Sequence, residues 1–276
     1  MYLEHFGLRE APFGITPDTG FAFAGAAHQE ALNTLLIAVH GGEGFIKVTG
    51  EVGTGKTLLC RRFLATLGED CVSAYLPNPC LEAETLLRAL AEELGVEASA
   101  QEDPYHYRKR LGLALLDFAR EGKRVVVCID EAQAMPLASL EALRLLSNLE
   151  TEKRKLLQLV LFGQPELDEK LRDPSVRQLR QRIAFHCRLG GLGKRELEHY
   201  LAHRLRVAGY RGSRMFSLAA VRLLHRASGG TPRLVNILAH KALLAAYGQG
   251  RQDVGRSQVA AAVRDTEGAR APVLWF

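Results

Sequence analysis

Gly50-Glu51-Val52-Gly53-Thr54-Gly55-Lys56-Thr57 fits the pattern G-x-x-x-x-G-K-[ST] at every fixed position. The pattern constrains the fold because it works only at a turn from a strand into a helix. Both flanks comply. Residues 45–49 (Phe-Ile-Lys-Val-Thr) read as a short buried strand, and 58–64 (Leu-Leu-Cys-Arg-Arg-Phe-Leu) read as a helix. Glycines at such a turn let backbone N–H groups close around phosphate, and the helix start adds its positive dipole end. On this reading Gly50, Glu51, Val52, Gly53, Thr54, Gly55, Lys56, Thr57 and Leu58 form a nucleotide cradle. Lys56 reaches the β- and γ-phosphates of ATP, and the Thr57 hydroxyl ligates Mg²⁺.

A second landmark is the apolar run Val125-Val126-Val127-Cys128-Ile129, which ends in Asp130-Glu131. A buried strand delivering two carboxylates to its end suits hydrolysis, which needs a bound metal and a positioned water. Asp130 is expected to orient Mg²⁺ directly or through a water, and Glu131 to polarise the attacking water. A further strand lies between the two motifs in sequence, as expected of the additional-strand ATPases. Gln164 follows the apolar run Leu159-Val160-Leu161-Phe162-Gly163 and is placed to contact the γ-phosphate or the water, the role called sensor 1. Arg177, Arg180 and Arg182 crowd the last strand. Arg182 first, then Arg177, is the candidate arginine finger for a neighbouring subunit's nucleotide. Gly229-Gly230-Thr231-Pro232-Arg233 reads as a helix start, with Thr231 as N-cap and Pro232 at the first position. Arg233 then falls in the first turn, against the dipole preference, and is the candidate sensor 2 on the γ-phosphate.

Strands alternate with helices as far as about residue 190, which argues for a parallel sheet covered on both faces. Strands are expected at 45–49, 71–75, 124–129, 156–162 and 183–189. Helices are expected at 28–40, 58–64, 81–94, 104–120, 137–149, 165–171 and 175–182, with a polar loop near 98–103. Beyond Gly190 the strand signal stops, and 194–207, 217–227, 232–247 and 257–265 read as helices. The expected class is therefore α/β, a P-loop core followed by a helical lid. The expected division is 1–27 as an aromatic-rich irregular arm packed on the core, 28–190 as the core, 191–268 as the lid and 269–276 as a tail.

The chain has 276 residues, of which 47% are hydrophobic and 24% charged, enough for one large domain and a smaller one. Its five cysteines form no C-x-x-C pair, which favours reduced thiols and argues against a zinc site. No basic-then-apolar leader is visible at the start, and no apolar run is long enough to span a bilayer. The expectation is a cytoplasmic protein whose membrane association, if any, goes through a partner. The net charge of +5 permits nucleic acid, anionic lipid or acidic protein as partners. The arginines read as spread along the chain, densest over 172–188.

Taken together these residues resemble the AAA+ ATPases. More narrowly, they resemble the group of ExeA (general secretion pathway protein A) and its relative MshM of MSHA pilus biogenesis. The resemblance runs through Met1-Tyr2-Leu3, Phe6-Gly7-Leu8, Pro12-Phe13, Thr16-Pro17-Asp18 and His28-Gln29-Glu30-Ala31-Leu32. It continues with Gly50–Thr57, Ile129-Asp130-Glu131-Ala132-Gln133, Gly163-Gln164-Pro165-Glu166-Leu167, Gln181-Arg182-Ile183 and Gly230-Thr231-Pro232-Arg233-Leu234-Val235-Asn236. It implies an ATPase core with a helical lid, an oligomeric active form, and a place in building a pilus or type II secretion machine. Sensor 1 is Gln164 here, where many AAA+ proteins carry Asn. ExeA continues into a membrane span and a peptidoglycan-binding region. The present sequence stops at Trp275-Phe276, which on this reading favours MshM.

Two other functions compete with an ATP-hydrolysing assembly factor. One is a nucleic-acid ATPase of the kind found among transposition helpers such as TniB and MuB. It ranks second because no aromatic-interleaved basic patch or helix-turn-helix is visible. The other is a nucleotide-gated scaffold with little turnover.

Overall fold

Five strands form one parallel sheet: β1 (Phe45–Gly50), β2 (Cys71–Leu76), β3 (Arg124–Ile129), β4 (Leu157–Gly163) and β5 (Ile183–Leu189), in the order β2-β3-β4-β1-β5. The computed structural model describes residues 1–16, 18–96, 103–150 and 155–270. Residues 98–102 of the expected polar loop, 271–276 of the expected tail, and Pro17 lie outside the described residues. The strand that separates the two motifs in sequence, β2, takes an edge of the sheet, whereas β4 lies between β1 and β3. Thr49 pairs with Gly163 and Ile129 with Leu161, so β1, β3 and β4 all end on one edge.

The helices are α1 (Tyr2–His5), α2 (Ala26–His40), α3 (Lys56–Thr66), α4 (Ala83–Glu93), α5 (Pro104–Arg120), α6 (Leu137–Leu146), α7 (Glu166–Lys170), α8 (Arg177–Arg182), α9 (Lys194–Val207), α10 (Leu218–Ser228), α11 (Pro232–Gly248) and α12 (Arg256–Arg264). Their ends follow local chemistry. Asp103 accepts from the Tyr105 N–H ahead of Pro104 and starts α5. Ser217 accepts from the Ala220 N–H and starts α10, and Gly229 closes it in the left-handed region. Thr231 does stand at the N-cap of α11, but its side chain makes no capping hydrogen bond; Pro232 fixes the first turn instead.

By packing, the described chain divides into two compact units. The first holds Met1–His28, Glu51–Leu58 and the described part of Gly190–Phe276; the second holds Gln29–Gly50 and Leu59–Leu189. In the second unit the period-2 alternation of strands sorts side chains to opposite faces. Val125, Val127, Ile129, Leu157, Leu159 and Leu161 pack with Leu86, Leu90, Leu111, Leu115, Leu140 and Leu143. Ile46, Val48, Val126, Cys128, Val160 and Phe162 pack with Leu35, Leu59, Cys60 and Phe63. Both faces are covered, and for that reason β3 and β4 read as unbroken apolar runs.

The first unit has its own core, built mainly from α9 to α12. Residues 1–27 were expected to pack on the ATPase core as an irregular arm. Their buried residues Phe6, Leu8, Phe13 and Phe21 instead join this helical cluster, and 2–5 form a short helix. The reason is a buried cation that needs acceptors. Arg204 is only 8% exposed. Its Nε donates to the Pro12 carbonyl at 2.5 Å, its Nη2 to the Gly14 carbonyl at 3.4 Å and its Nη1 to the Tyr200 hydroxyl at 3.2 Å. Its face lies 4.7 Å from the Phe21 ring centroid. Asn236 completes the network, donating to Gly14 and accepting from Tyr200. An arm that supplies carbonyls to a buried arginine is held in place, since a buried charge without partners costs several kcal/mol.

Candidate functional site

In the first unit the glycine-rich loop leads into α3, so Lys56 and Thr57 occupy its first turn. Gly53 and Gly55 have φ of 79° and 95°, a region L side chains rarely adopt. Space also requires glycine there. A Cβ on Gly53 would lie 2.4 Å from the Arg233 Cβ, and one on Gly55 would lie 2.8 Å from His28 Nε2. The loop's carbonyls are engaged. Glu51 accepts from the Thr54 N–H at 3.2 Å, the Thr54 hydroxyl at 2.8 Å and the Lys56 ammonium at 3.2 Å. Gly53 accepts from the Arg233 backbone N–H at 3.2 Å. The Thr54 carbonyl faces His28 Nε2 at 2.9 Å, the geometry of an imidazole N–H donating to it. Thr54 and Lys56 are buried, whereas Glu51 and Val52 are exposed.

Arg233 therefore meets the loop through its backbone and its Cβ, while the residue as a whole remains exposed. His28 enters the reading of the sequence only as part of a motif, with no role of its own. Its part emerges only from tertiary contact, because a histidine at a helix start carries no local signal for a loop 26 residues on. The segment bearing it is itself tied down: the Ala26 N–H donates to Glu196 Oε1 at 2.9 Å, and the same carboxylate's Oε2 accepts from the Gly193 N–H ahead of α9.

In the second unit, β3 carries Asp130 and Glu131 to the shared carboxyl edge, where Gly50 and Gln164 also emerge. Asp130 is 3% exposed. Its Oδ1 accepts from the Glu131 N–H at 3.0 Å, and its Oδ2 lies 3.4 Å from the Tyr75 hydroxyl, which points a donor at it. Burial, then the Asp130 charge, push the Tyr75 phenol up to about 12, so it stays a neutral donor at any ordinary pH. Glu131 is the sole described residue other than glycine with positive φ, at 52°. Such backbone costs on the order of 1–3 kcal/mol and persists where the surroundings enforce it. The Glu131 carbonyl accepts from the Ala134 N–H at 2.8 Å, and its carboxylate meets two amides. Gln133 Nε2 donates to Glu131 Oε2 at 2.5 Å, and Gln164 Nε2 donates to the same oxygen at 3.1 Å. Gln133 Oε1 in turn accepts the Gln164 backbone N–H at 3.0 Å, and Lys170 Nζ donates to the Gln133 carbonyl. The three residues form a closed clasp that fixes the Glu131 carboxylate.

Gln164 thus contacts Glu131 directly. Gln133 enters the sequence reading only as part of a motif; its function as the other half of the clasp becomes visible with the left-handed turn at Glu131. The two finger candidates separate. Arg182 Nη1 donates to Ser147 Oγ at 3.1 Å and approaches the Arg144 carbonyl at 3.5 Å, so its head group is engaged within its own chain. Arg177, at the start of α8, is exposed.

Thr57 brings a hydroxyl to the first turn of α3, and Asp130 brings a carboxylate to the end of β3. No described cluster of three or more His, Cys, Asp or Glu side chains could hold one alone. A hydroxyl and a carboxylate are each hard oxygen donors of the kind Mg²⁺ takes, alongside phosphates and water.

Comparison with known proteins bears on the family and the fold. A family model described as AAA domain matches residues 39–171. General secretion pathway protein A of Aeromonas hydrophila is 40% identical over 284 residues, covering 100% of this chain and 50% of that protein. The chain therefore spans about half the length of this curated relative. Among solved structures, the fold is similar to Cdc6p of Pyrobaculum aerophilum (TM-score 0.67, 17% identity, 90% of this chain and 70% of that one). It is also similar to ORC2 of Aeropyrum pernix in its ADPNP–ADP complexes (TM-score 0.65, 18% identity, 93% and 73%). The RuvB branch-migration motor of Thermotoga maritima has a TM-score of 0.57 at 18% identity (86% and 68%). No helix among the described residues is long and apolar enough to cross a membrane. With its P-loop, its five-stranded parallel sheet and its whole-length similarity to that secretion protein, the chain belongs to the AAA+ proteins of the general secretion pathway protein A (ExeA) family.

Proposed function

We propose that this chain binds ATP with Mg²⁺, hydrolyses it, and uses the cycle to assemble an envelope machine of the type II secretion or pilus kind. The observation that carries the reading is Glu131: a carboxylate at the end of a buried strand, on strained backbone, fixed by Gln133 and Gln164. A surface carboxylate that merely ended a strand would need none of this.

In the proposed mechanism the loop from Gly50 to Leu58 cradles the phosphates, and Lys56 moves from the Glu51 carbonyl to the β/γ-phosphates. Thr57 and Asp130 are the residues that would hold Mg²⁺, and the ion would neutralise charge on the phosphate oxygens. Glu131 orients the attacking water through the lone pairs its amide partners leave open. Gln164, donating to Glu131, stands where it can share that water. Arg233 serves as sensor 2, its backbone already against the loop. Of the two finger candidates, Arg177 is preferred to Arg182, because it can reach another subunit without breaking contacts to Ser147. The assignment of 28–190 as ATPase core and 191–268 as lid follows from these roles. So does an oligomeric active form, since a finger acts in trans.

The secretion setting rests on the relative's name and on the N-terminal resemblance. A cytoplasmic location, with any membrane association through a partner, accompanies it. The experiment is equilibrium binding of a fluorescent ATP analogue to wild type and to Lys56→Ala. Binding lost in the variant supports the assignment, and binding unchanged removes the loop from the site.

A further inference from the structure

Charge is distributed very unevenly along this chain. Residues 190–276 carry 14 Lys and Arg against 5 Asp and Glu, a net +9. The whole chain is +5 (36 against 31), so residues 1–189 carry 22 against 26, a net −4. Of the 14 cations, 12 are arginines. The acids of this region are largely spoken for: Glu198 pairs with Arg214, Asp265 with Lys241 and Asp253 with Arg251, while Glu196 caps backbone N–H groups.

Three of these arginines come together at one cavity. Arg222 and Arg226, one turn apart on α10, and Arg256, the first residue of α12, line a cavity of about 320 Å³ with Ala219 and Leu223. All three arginines are exposed. None makes an ion pair with a described residue. Arg222 Nε donates only to the Leu218 carbonyl at 3.2 Å. Arg256 sits at the positive end of its helix, where a cation is disfavoured. Stability of the fold therefore does not account for it. A second basic cavity of the same unit, about 570 Å³, is lined by Arg9, Arg211, Tyr210 and Gln252.

We infer that the helical unit carries a binding surface for the phosphate backbone of nucleic acid, with Arg222, Arg226 and Arg256 at one point of contact. Arginine forks match phosphate oxygens in pairs. A concave site rimmed by cations receives a projecting phosphate ridge. Two such basic cavities on one unit suit a polymer with repeating phosphates. A flat anionic bilayer would call instead for bulky apolar side chains between the cations, and here Leu218 is the sole large exposed one on α10. No base-edge reader is visible in the cavity, so the binding is expected to be insensitive to sequence.

The test is anisotropy of a labelled DNA duplex titrated with the full chain over a range of KCl concentrations. The wild type is expected to bind, with log K falling linearly as log salt rises. Arg222→Gln/Arg226→Gln/Arg256→Gln is expected to bind at least about ten-fold more weakly at low salt, with a slope shallower by about 0.9 for each phosphate that the variant no longer neutralises. Unchanged binding of a fluorescent ADP analogue in the same variant establishes that it is folded. Absence of DNA binding at low salt, or equal binding and slope in the triple variant, overturns the inference. So does retention on phosphatidylglycerol vesicles that depends on the three arginines while DNA is ignored; that result assigns the surface to lipid.

Discussion

His28 shows how much of a phosphate loop's shape is imposed from outside it. The Thr54 carbonyl, on a buried residue, takes its hydrogen bond from that imidazole, and Gly55 can have no Cβ because the ring is there. Removing the donor leaves a buried acceptor unsatisfied, a cost of about 1–3 kcal/mol. His28→Ala is accordingly expected to weaken ADP-analogue binding on the order of ten-fold, and His28→Gln, which retains a side-chain N–H, to restore most of it. Equal affinities for Ala and wild type would show that the loop holds its shape unaided. The Lys56 and Asp130-Glu131 positions were legible in the sequence because a strand, a turn and a residue type coincide there. His28 and Gln133 were not, because each acts on a neighbour that only the fold supplies: the Thr54 carbonyl in one case, the Glu131 carboxylate in the other.

Among the elements, the strands were the easiest to read and the N-terminal arm the hardest. Apolar runs such as 125–129 are long enough and flanked clearly enough to announce β3, and double coverage explains why they do not alternate. The arm has aromatic residues at irregular spacing, which says that it packs but not on what. Its destination is set by Arg204, whose three side-chain donors take the Pro12, Gly14 and Tyr200 oxygens. Arg204→Ala removes those donors and opens space beneath Phe21. It is expected to cost about 2–4 kcal/mol in urea unfolding, with protease cleavage appearing first within residues 1–27. A loss below about 0.5 kcal/mol would mean that the aromatic contacts alone hold the arm.

For the whole molecule, it is the proposed arginine finger that calls for a second copy. Arg177 is exposed on α8, and an arginine finger in trans makes turnover depend on assembly. Specific activity of the wild type is therefore expected to rise with protein concentration. Arg177→Ala is expected to lower turnover on the order of 10³-fold while leaving ATP-analogue binding intact. Turnover that is independent of concentration and of Arg177 would place any finger elsewhere. The charge partition is also a property of the whole chain. Read residue by residue the arginines look dispersed; divided at Gly190 the net positive charge falls entirely on one side.

Everything proposed about hydrolysis passes through the carboxylate clasped by Gln133 and Gln164. The decisive measurement is ATP binding and ATP turnover, side by side, in wild type and Glu131→Gln. The account predicts that the variant binds ATP with wild-type affinity and loses turnover by on the order of 10²–10⁴-fold, the range for removing a group that directs proton transfer. Wild-type turnover in Glu131→Gln would contradict it.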